Sequence, residues 1–253
     1  MNDDLSLLGL PKILQEKYNF DIFGIFDITD KPKKFLKKQK LINFSKIWFF
    51  HDHINKTKQK PDKEFLKFIE EKYKVDLRLL VSNERFFNKF NEFYKFSSDE
   101  ILLILEQECK LFEKILDEVK PDFLIMAYTT LHHNELFYRI CQARGVKILM
   151  LRSSYLRGQY IIASRSHLID HAEYDEKHNF SSMSEIQNYL KNYTFTANID
   201  SWKQTFQNSK TKYFQAILKY LFSDNSNVKT HFTYYGRTKF AVLRVTLINE
   251  IKK

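Results

Sequence analysis

Four short apolar stretches dominate the pattern of hydrophobic and polar positions along the chain. They occupy Phe20–Asp27, Lys46–His51, Asp122–Ala127 and Val146–Leu151, and segments of helical periodicity separate them. Short continuous apolar stretches of this kind are typical of parallel strands that are covered on both faces. The pattern therefore predicts a parallel sheet built from these four strands, with a further strand at Gln159–Ala163.

Apolar residues that recur at steps of three and four predict the helices. The clearest helix spans Ser97–Val119, because it opens with hydroxyl and acidic residues that favour a helix start. A shorter helix around Leu136–Cys141 is followed by Gly145, which is placed to end it. Leu77–Val81 fits either a strand or the beginning of a helix. Further helices are predicted at Leu5–Tyr18, Lys33–Leu41, Asp62–Tyr73, Ser181–Tyr193, Ile199–Gln207, Lys212–Phe222 and Phe240–Ile251.

The segment Asp122–Ser153 contains a strand, a short helix and a second strand, which together predict a right-handed βαβ unit. The expected fold class is α/β, with a Rossmann-like parallel sheet, flanking helices and a helical C-terminal extension. We expect residues 1–175 to form the Rossmann-like domain and residues 176–253 to form the extension. The last predicted helix carries an apolar stripe, which either packs on the first domain or meets a partner.

Composition restricts the class of protein. The chain has 253 residues, 43% hydrophobic and 16% aromatic, so it is not expected to be disordered. No stretch of about 18 uncharged apolar residues is present to span a bilayer. Met1–Leu10 contains two aspartates and lacks the basic start of a secretory signal, so a cytoplasmic location is expected. Cys109 and Cys141 lie on apolar helix faces and are predicted to be buried free thiols.

The net charge of +10 is compatible with binding to nucleic acid, to anionic lipid or to a phosphorylated ligand. Six lysines lie within one segment, Lys31–Lys40, and such charge runs are usually solvated helix faces. No nucleic-acid-binding motif accompanies the charge, so no nucleic acid is expected as partner. The five glycines are too scattered for a phosphate-binding loop, which argues against an ATPase and an NAD-dependent dehydrogenase. No cofactor is expected.

Several stretches resemble a known family. They are Glu118–Ile125, Cys141–Leu149 and Leu151–Ser154, together with Asp27–Asp52, which includes Trp48-Phe-Phe-His-Asp. These stretches resemble the N-terminal domain of GT-B-type glycosyltransferases and of archaeal-type proteins of capsule and surface polysaccharide biosynthesis. The resemblance implies two Rossmann-like domains that face a cleft, with most nucleotide-sugar contacts on the second domain.

The function that the resemblance implies is transfer of a sugar from a nucleotide donor to a glycan or lipid-linked acceptor. Such a protein would work in the cytoplasm, with peripheral contact to the inner face of the membrane. The chain ends where the second domain of such an enzyme would begin. We therefore expect little turnover from the chain alone and a partner protein that supplies the second domain. The alternative is a non-catalytic remnant that binds an acceptor or a partner enzyme.

Candidate site residues follow the strands of the βαβ unit, because ligands of open α/β sheets gather at the carboxyl ends of strands. His132 or His133 could deprotonate an acceptor hydroxyl, or both could be exposed loop residues. Glu135 could orient either ring or could be a first-turn helix acid. Thr129, Thr130 and Ser153 are expected to line the same cleft. Arg152 and Arg157, with Arg165 beyond them, could hold a phosphate or a sugar acid, or could be ordinary surface arginines.

Two other patterns are less informative. His51-Asp-His53 has metal-ligating residue types at alternate positions, but a zinc site needs a further ligand and the sequence indicates none. The sequence therefore predicts no metal. Ser153 and Ser154 lack the glycines of a nucleophile elbow, which argues against hydrolase chemistry.

Overall fold

The computed structural model describes residues 3–28, 30–82, 84–88, 92–127, 129–153, 160–165, 181–192, 210–222 and 231–251. The strands are β1 (Ile22–Phe26), β2 (Phe44–Phe49), β3 (Phe123–Ala127), β4 (Lys147–Ser153) and β5 (Tyr160–Ala163). The α-helices are α1 (Asp3–Lys17), α2 (Asp30–Lys38), α3 (Lys63–Tyr73), α4 (Leu77–Ser82), α5 (Arg85–Asn88), α6 (Ser98–Val119), α7 (His132–Ala143), α8 (Met183–Asn192), α9 (Lys210–Leu221) and α10 (Lys239–Ile251). Two short 3-10 turns occupy Phe50–Asp52 and Phe232–Tyr234.

The strands pair as two small sheets within the described residues. β1 pairs in parallel with β2, and β3 pairs in parallel with β4. The strand–helix–strand order and the parallel pairing of the predicted βαβ unit are thereby confirmed, as is the α/β fold class with flanking helices. The prediction of one four-stranded parallel sheet is wrong, because no ladder joins the two pairs in the described part of the chain. β5 runs antiparallel to β4, since six residues between them are too few for a parallel crossover.

The main core lies where α6 packs against α3 and α7, and where α7 packs against β4. Its fully buried side chains include Leu105, Phe112, Leu136 and Ile140. Burying a side chain of this size contributes about 1.5–3 kcal/mol to folding, so this layer holds the βαβ unit together. The two cysteines are buried in the same layer as free thiols, as predicted: Cys109 and Cys141.

Local sequence signals fix the ends of the two core helices. A capping box joins Ser97 and Glu100 at the start of α6, and Lys120 ends that helix in a left-handed conformation. Gly145 follows α7 with φ +75°, which glycine adopts at little cost. α7 begins at His132, although the hydrophobic pattern predicts a polar loop from Tyr128 to His133.

The other helices predicted from hydrophobic periodicity agree with the structure to different degrees. Leu77–Ser82 is a helix, which decides the ambiguity left by the sequence. The helix predicted at 199–207 lies outside the described residues, while α10 occupies the predicted terminal position. α10 leaves Phe240 and Leu247 exposed, whereas Leu243 is half-buried. None of the described helices is both long enough and apolar enough to cross a membrane.

Candidate functional site

Histidines and carboxylates gather at the carboxyl ends of three strands. Asp27 directly follows β1, and His51 lies in the 3-10 turn that follows β2. His132 and His133 open α7, a few residues after the end of β3. His231 comes from a distant part of the chain, directly before the second 3-10 turn. This edge is where α/β sheets place their ligands, so the cluster is the candidate functional site.

Asp27 connects two of these histidines. Its Oδ1 contacts Nε2 of His51, and its Oδ2 lies 3.0 Å from Nε2 of His133. Both imidazoles are buried, whereas about a third (36%) of the Asp27 side chain is exposed. Burial raises the pKa of Asp27, but the hydrogen bonds from His133 and His51 outweigh it and hold the pKa well below its usual range. Asp27 is therefore an ionised carboxylate that solvent can reach.

His231 lies against His51, and the two rings stack. Nδ1 of His231 is 2.6 Å from the hydroxyl of Thr233, which fixes the orientation of the ring. Burial and the neighbouring His51 lower the pKa of His231 to about 3, so its imidazole is neutral. Asp27, His51 and His231 each offer a ligand atom within 4.8 Å of the others, which makes them a candidate metal-binding group.

His132 lies between two buried glutamates. Its Nδ1 is 2.8 Å from Oε2 of Glu84, and its Nε2 is 3.0 Å from Oε1 of Glu108. The backbone N–H of His132 donates a second bond to Glu84 Oε2 at 2.9 Å. Burial lowers the pKa of His132, but Glu108 and Glu84 outweigh it and raise the pKa to about 9. Burial raises the pKa of Glu84, but the bonds from His132 prevail and lower it to about 2.

A second candidate group overlaps with this pair. Glu108, His132 and His133 each offer a ligand atom within 4.8 Å of the others, and all three side chains are buried. His133 therefore belongs to this group while it also contacts Asp27 of the first one. The carboxylate of Asp27 lies between the two groups.

Several buried polar atoms of the cluster have no hydrogen-bond partner within the described part of the chain. They are Nδ1 of His51, Nδ1 of His133 and Oε2 of Glu108. A buried polar atom without a partner costs about 1–3 kcal/mol, so such atoms are rare and call for an explanation. Three of them in one cluster are consistent with a site that binds an ion or a polar ligand.

An aromatic shell surrounds the cluster. The ring of Phe50 stacks on His133 with centroids 4.6 Å apart, and Phe232 packs against Phe50 and His132. Phe87 closes the side next to His132 with centroids 5.0 Å apart. Apolar walls of this kind lower the local dielectric and strengthen every charge interaction inside them.

The structure brings together some of the residues predicted from sequence. His132 and His133 both belong to the cluster, and the alternative that they are exposed loop histidines is wrong, since they are 4% and 3% exposed. Glu135 bonds Arg139 one turn along α7 at 2.7 Å, which is the role of a helix acid rather than of a ring-orienting group. His51 joins the cluster, while His53 remains exposed and outside both ligand groups.

The other predicted residues lie around the βαβ unit. Thr129 is half-buried and Thr130 is exposed, after β3. Arg152 is exposed near the end of β4, where Ser153 is the last residue. Arg157 lies outside the described residues. Their proposed role in substrate binding stays a prediction.

Sequence reasoning missed four members of the cluster: Asp27, Glu84, Glu108 and His231. Asp27 could have been found, because it is the last residue of a predicted strand and the other candidate residues were chosen because they follow predicted strands. Glu108 interrupts the apolar face of α6 next to Cys109, and an acid on a buried face needs a partner.

Comparison of the chain with protein-family models, with curated proteins and with solved structures found no significant match.

Proposed function

We propose that this chain is a metal-dependent α/β enzyme whose metal ion is bound by Asp27, His51 and His231. The observation that carries the proposal is the convergence of these three ligand side chains from three separate segments. They meet beside the carboxyl ends of β1 and β2, the kind of position where ligands of α/β proteins bind. The proposal departs from the sequence-based prediction of no metal, because two of the ligands are not near His51 in sequence.

The ligand types match a divalent transition metal. Two imidazoles and one carboxylate suit zinc, iron or manganese, and the ionised Asp27 and neutral His231 are in the protonation states that metal binding requires. The contact of His231 Nδ1 with Thr233 is the kind of outer bond that orients a ligating ring. Three protein ligands leave a coordination position for water or substrate, and Asp27 provides access from solvent.

A bound ion would supply Lewis-acid chemistry to a reacting oxygen, including that of a phosphate. This is compatible with the substrate class expected from the glycosyltransferase resemblance, a nucleotide-sugar donor with a glycan or lipid-linked acceptor. Peripheral membrane contact and a partner protein belong to the same proposal. The non-catalytic alternative, binding of an acceptor or partner, predicts a bound ion without turnover.

Metal content tests the central claim. The purified chain would be treated with a chelator, dialysed against zinc, cobalt or manganese, and measured by inductively coupled plasma mass spectrometry and titration calorimetry. We expect stoichiometric binding that is lost in His51→Ala and in His231→Ala. His53→Ala is the matched control, because that residue lies two positions from His51 but outside both ligand groups. No bound ion, or equal loss in the control, would refute the proposal.

Turnover tests the enzymatic claim separately. The metal-loaded chain would be incubated with a panel of nucleotide sugars, and release of nucleotide would be followed with and without acceptor glycans. We expect Asp27→Asn to abolish release, because that change removes the ligand charge while it preserves the shape of the side chain. Metal binding with no release from any donor would favour the non-catalytic alternative.

A further inference from the structure

The two candidate ligand groups meet at one carboxylate. Oδ1 of Asp27 faces His51 of the first group, and Oδ2 faces His133 of the second group at 3.0 Å. A carboxylate with one oxygen toward each of two ligand sets can bridge two metal ions. Two-metal enzymes hold their ions about 3.5–4 Å apart, a separation that such a bridge can span.

We propose that the site is binuclear, with a second divalent metal ion bound by Glu108, His132 and His133 and bridged to the first by Asp27. This inference rests on the proposed function, since the first ion is the one described above. The three residues of the second group are buried, whereas Asp27 of the first group is accessible to solvent. A metal ion would therefore enter the second position from solvent by way of Asp27.

An unused atom of the second group supports this position. Oε2 of Glu108 is buried and lacks a hydrogen-bond partner within the described residues. The Glu108 side chain is more than nine-tenths buried, so solvent cannot satisfy this oxygen. A metal ion bound by Glu108 would remove a cost of about 1–3 kcal/mol for the unpaired oxygen, and the same ion would bind the Nε2 atom of His133 that faces Asp27.

Glu84 has the place of an outer partner. It binds Nδ1 and the backbone N–H of His132, which turns Nε2 of the ring toward Glu108. Ligating histidines are commonly oriented in this way by a carboxylate on the other ring nitrogen. A divalent ion would take the place of the proton shared by His132 Nε2 and Glu108 Oε1, and that proton would pass to solvent.

The charge of the cluster favours a cation. Asp27, Glu84 and Glu108 are three carboxylates in a small volume with aromatic walls. Glu84 and Glu108 are buried, and buried carboxylates are costly unless cations or hydrogen bonds compensate them. The competing explanation is that a protonated His132 alone balances Glu84 and Glu108 as a purely structural triad, which predicts a single metal ion per chain.

The number of ions per chain separates these explanations. The full chain would be stripped with a chelator and reloaded with Mn²⁺ alone, then measured by mass spectrometry of the metal and by low-temperature electron paramagnetic resonance. We expect about two ions per chain and a spin-coupled signal, because ions about 4 Å apart interact magnetically. Both measurements use the unmodified chain, so the test does not depend on whether any variant folds.

Variants assign the second position. Glu108→Gln should reduce binding to about one ion per chain and remove the spin coupling, as expected when one side of a two-metal site is lost. Glu118→Gln is the matched control on the same helix, since Glu118 forms an exposed pair with Lys46. Glu84→Gln should weaken the second ion about 10–100-fold without removing the first.

Each outcome decides one of the two proposals. One ion per chain, or two ions without spin coupling, would overturn the binuclear site and leave the proposed function standing. No bound ion would overturn both. Two coupled ions that are unaffected by Glu108→Gln in a folded variant would show that the second ligand set is wrong.

Discussion

Replacement of Gly236 by alanine tests how the segment that carries His231 is held. Gly236 has φ +75°, and a Cβ at this position would lie 2.7 Å from the carbonyl carbon of Phe93 and would also collide with its oxygen. The backbone of Phe93 cannot move aside as a flexible side chain could. Gly145 also has φ +75°, but a Cβ there meets nothing within 4 Å. Gly145→Ala is therefore a matched control that shares the backbone strain and lacks the collision.

The magnitudes differ accordingly. A left-handed alanine costs about 1–2 kcal/mol, and this cost applies to both variants. The collision adds about 1–3 kcal/mol to Gly236→Ala, as overpacking does elsewhere in protein cores. Effects on the unfolded chain are common to both substitutions and cancel in the difference. We therefore expect the free energy of unfolding of Gly236→Ala to fall by about 1–3 kcal/mol more than that of Gly145→Ala.

Urea denaturation followed by circular dichroism would measure this difference, and titration calorimetry with zinc would measure its effect at the site. Because His231 lies five residues before Gly236, the strained segment should bind the first ion more weakly. Gly145→Ala should bind the ion as the unmodified chain does. Equal destabilisation by the two variants, or unchanged zinc affinity in Gly236→Ala despite lost stability, would refute the reasoning.

Other predictions concern the cap, the aromatic shell and the ion. Ser97→Ala should lower the free energy of unfolding by about 1 kcal/mol in urea, since it removes the capping box of α6; an unchanged midpoint would contradict this role. Phe232→Ala should cost about 3–5 kcal/mol, while the 83% exposed Phe240→Ala should change stability by less than about 0.5 kcal/mol; similar costs would argue against a docked Phe232. Zinc at about 100 times its dissociation constant should raise the free energy of unfolding by about 2.7 kcal/mol. This gain should be absent in His51→Ala, and a gain that persists there would place the ion elsewhere.

The βαβ unit was predictable because its signals are local. Asp122–Ala127 and Val146–Leu151 are continuous apolar stretches, and the helix between them is defined by residues three and four apart. Strand order is not local, so the sequence could not show that β1 and β2 pair apart from β3 and β4. The direction of β5 could have been inferred from the short connection that precedes it.

The candidate site was only partly predictable for the same reason. His132 and His133 were found because they follow a strand, yet their burial depends on Phe50 and Phe232, which come from other parts of the chain. His231 carries no local signal that it meets His51. Residue type and strand position can suggest a ligand, but only tertiary packing determines its partners.

The separation of the site residues along the chain has a consequence for folding kinetics. Asp27 and His51 lie close together in sequence, whereas His231 comes 180 residues after His51. Bringing His51 and His231 together closes a long loop, and the loss of chain entropy precedes the favourable contacts between them. Contacts of such high sequence separation therefore form slowly. The helices and the βαβ unit are expected to form first, and the cluster should assemble only when the Phe232 segment docks. During synthesis, the chain would therefore acquire a complete ligand set only after His231 has emerged from the ribosome.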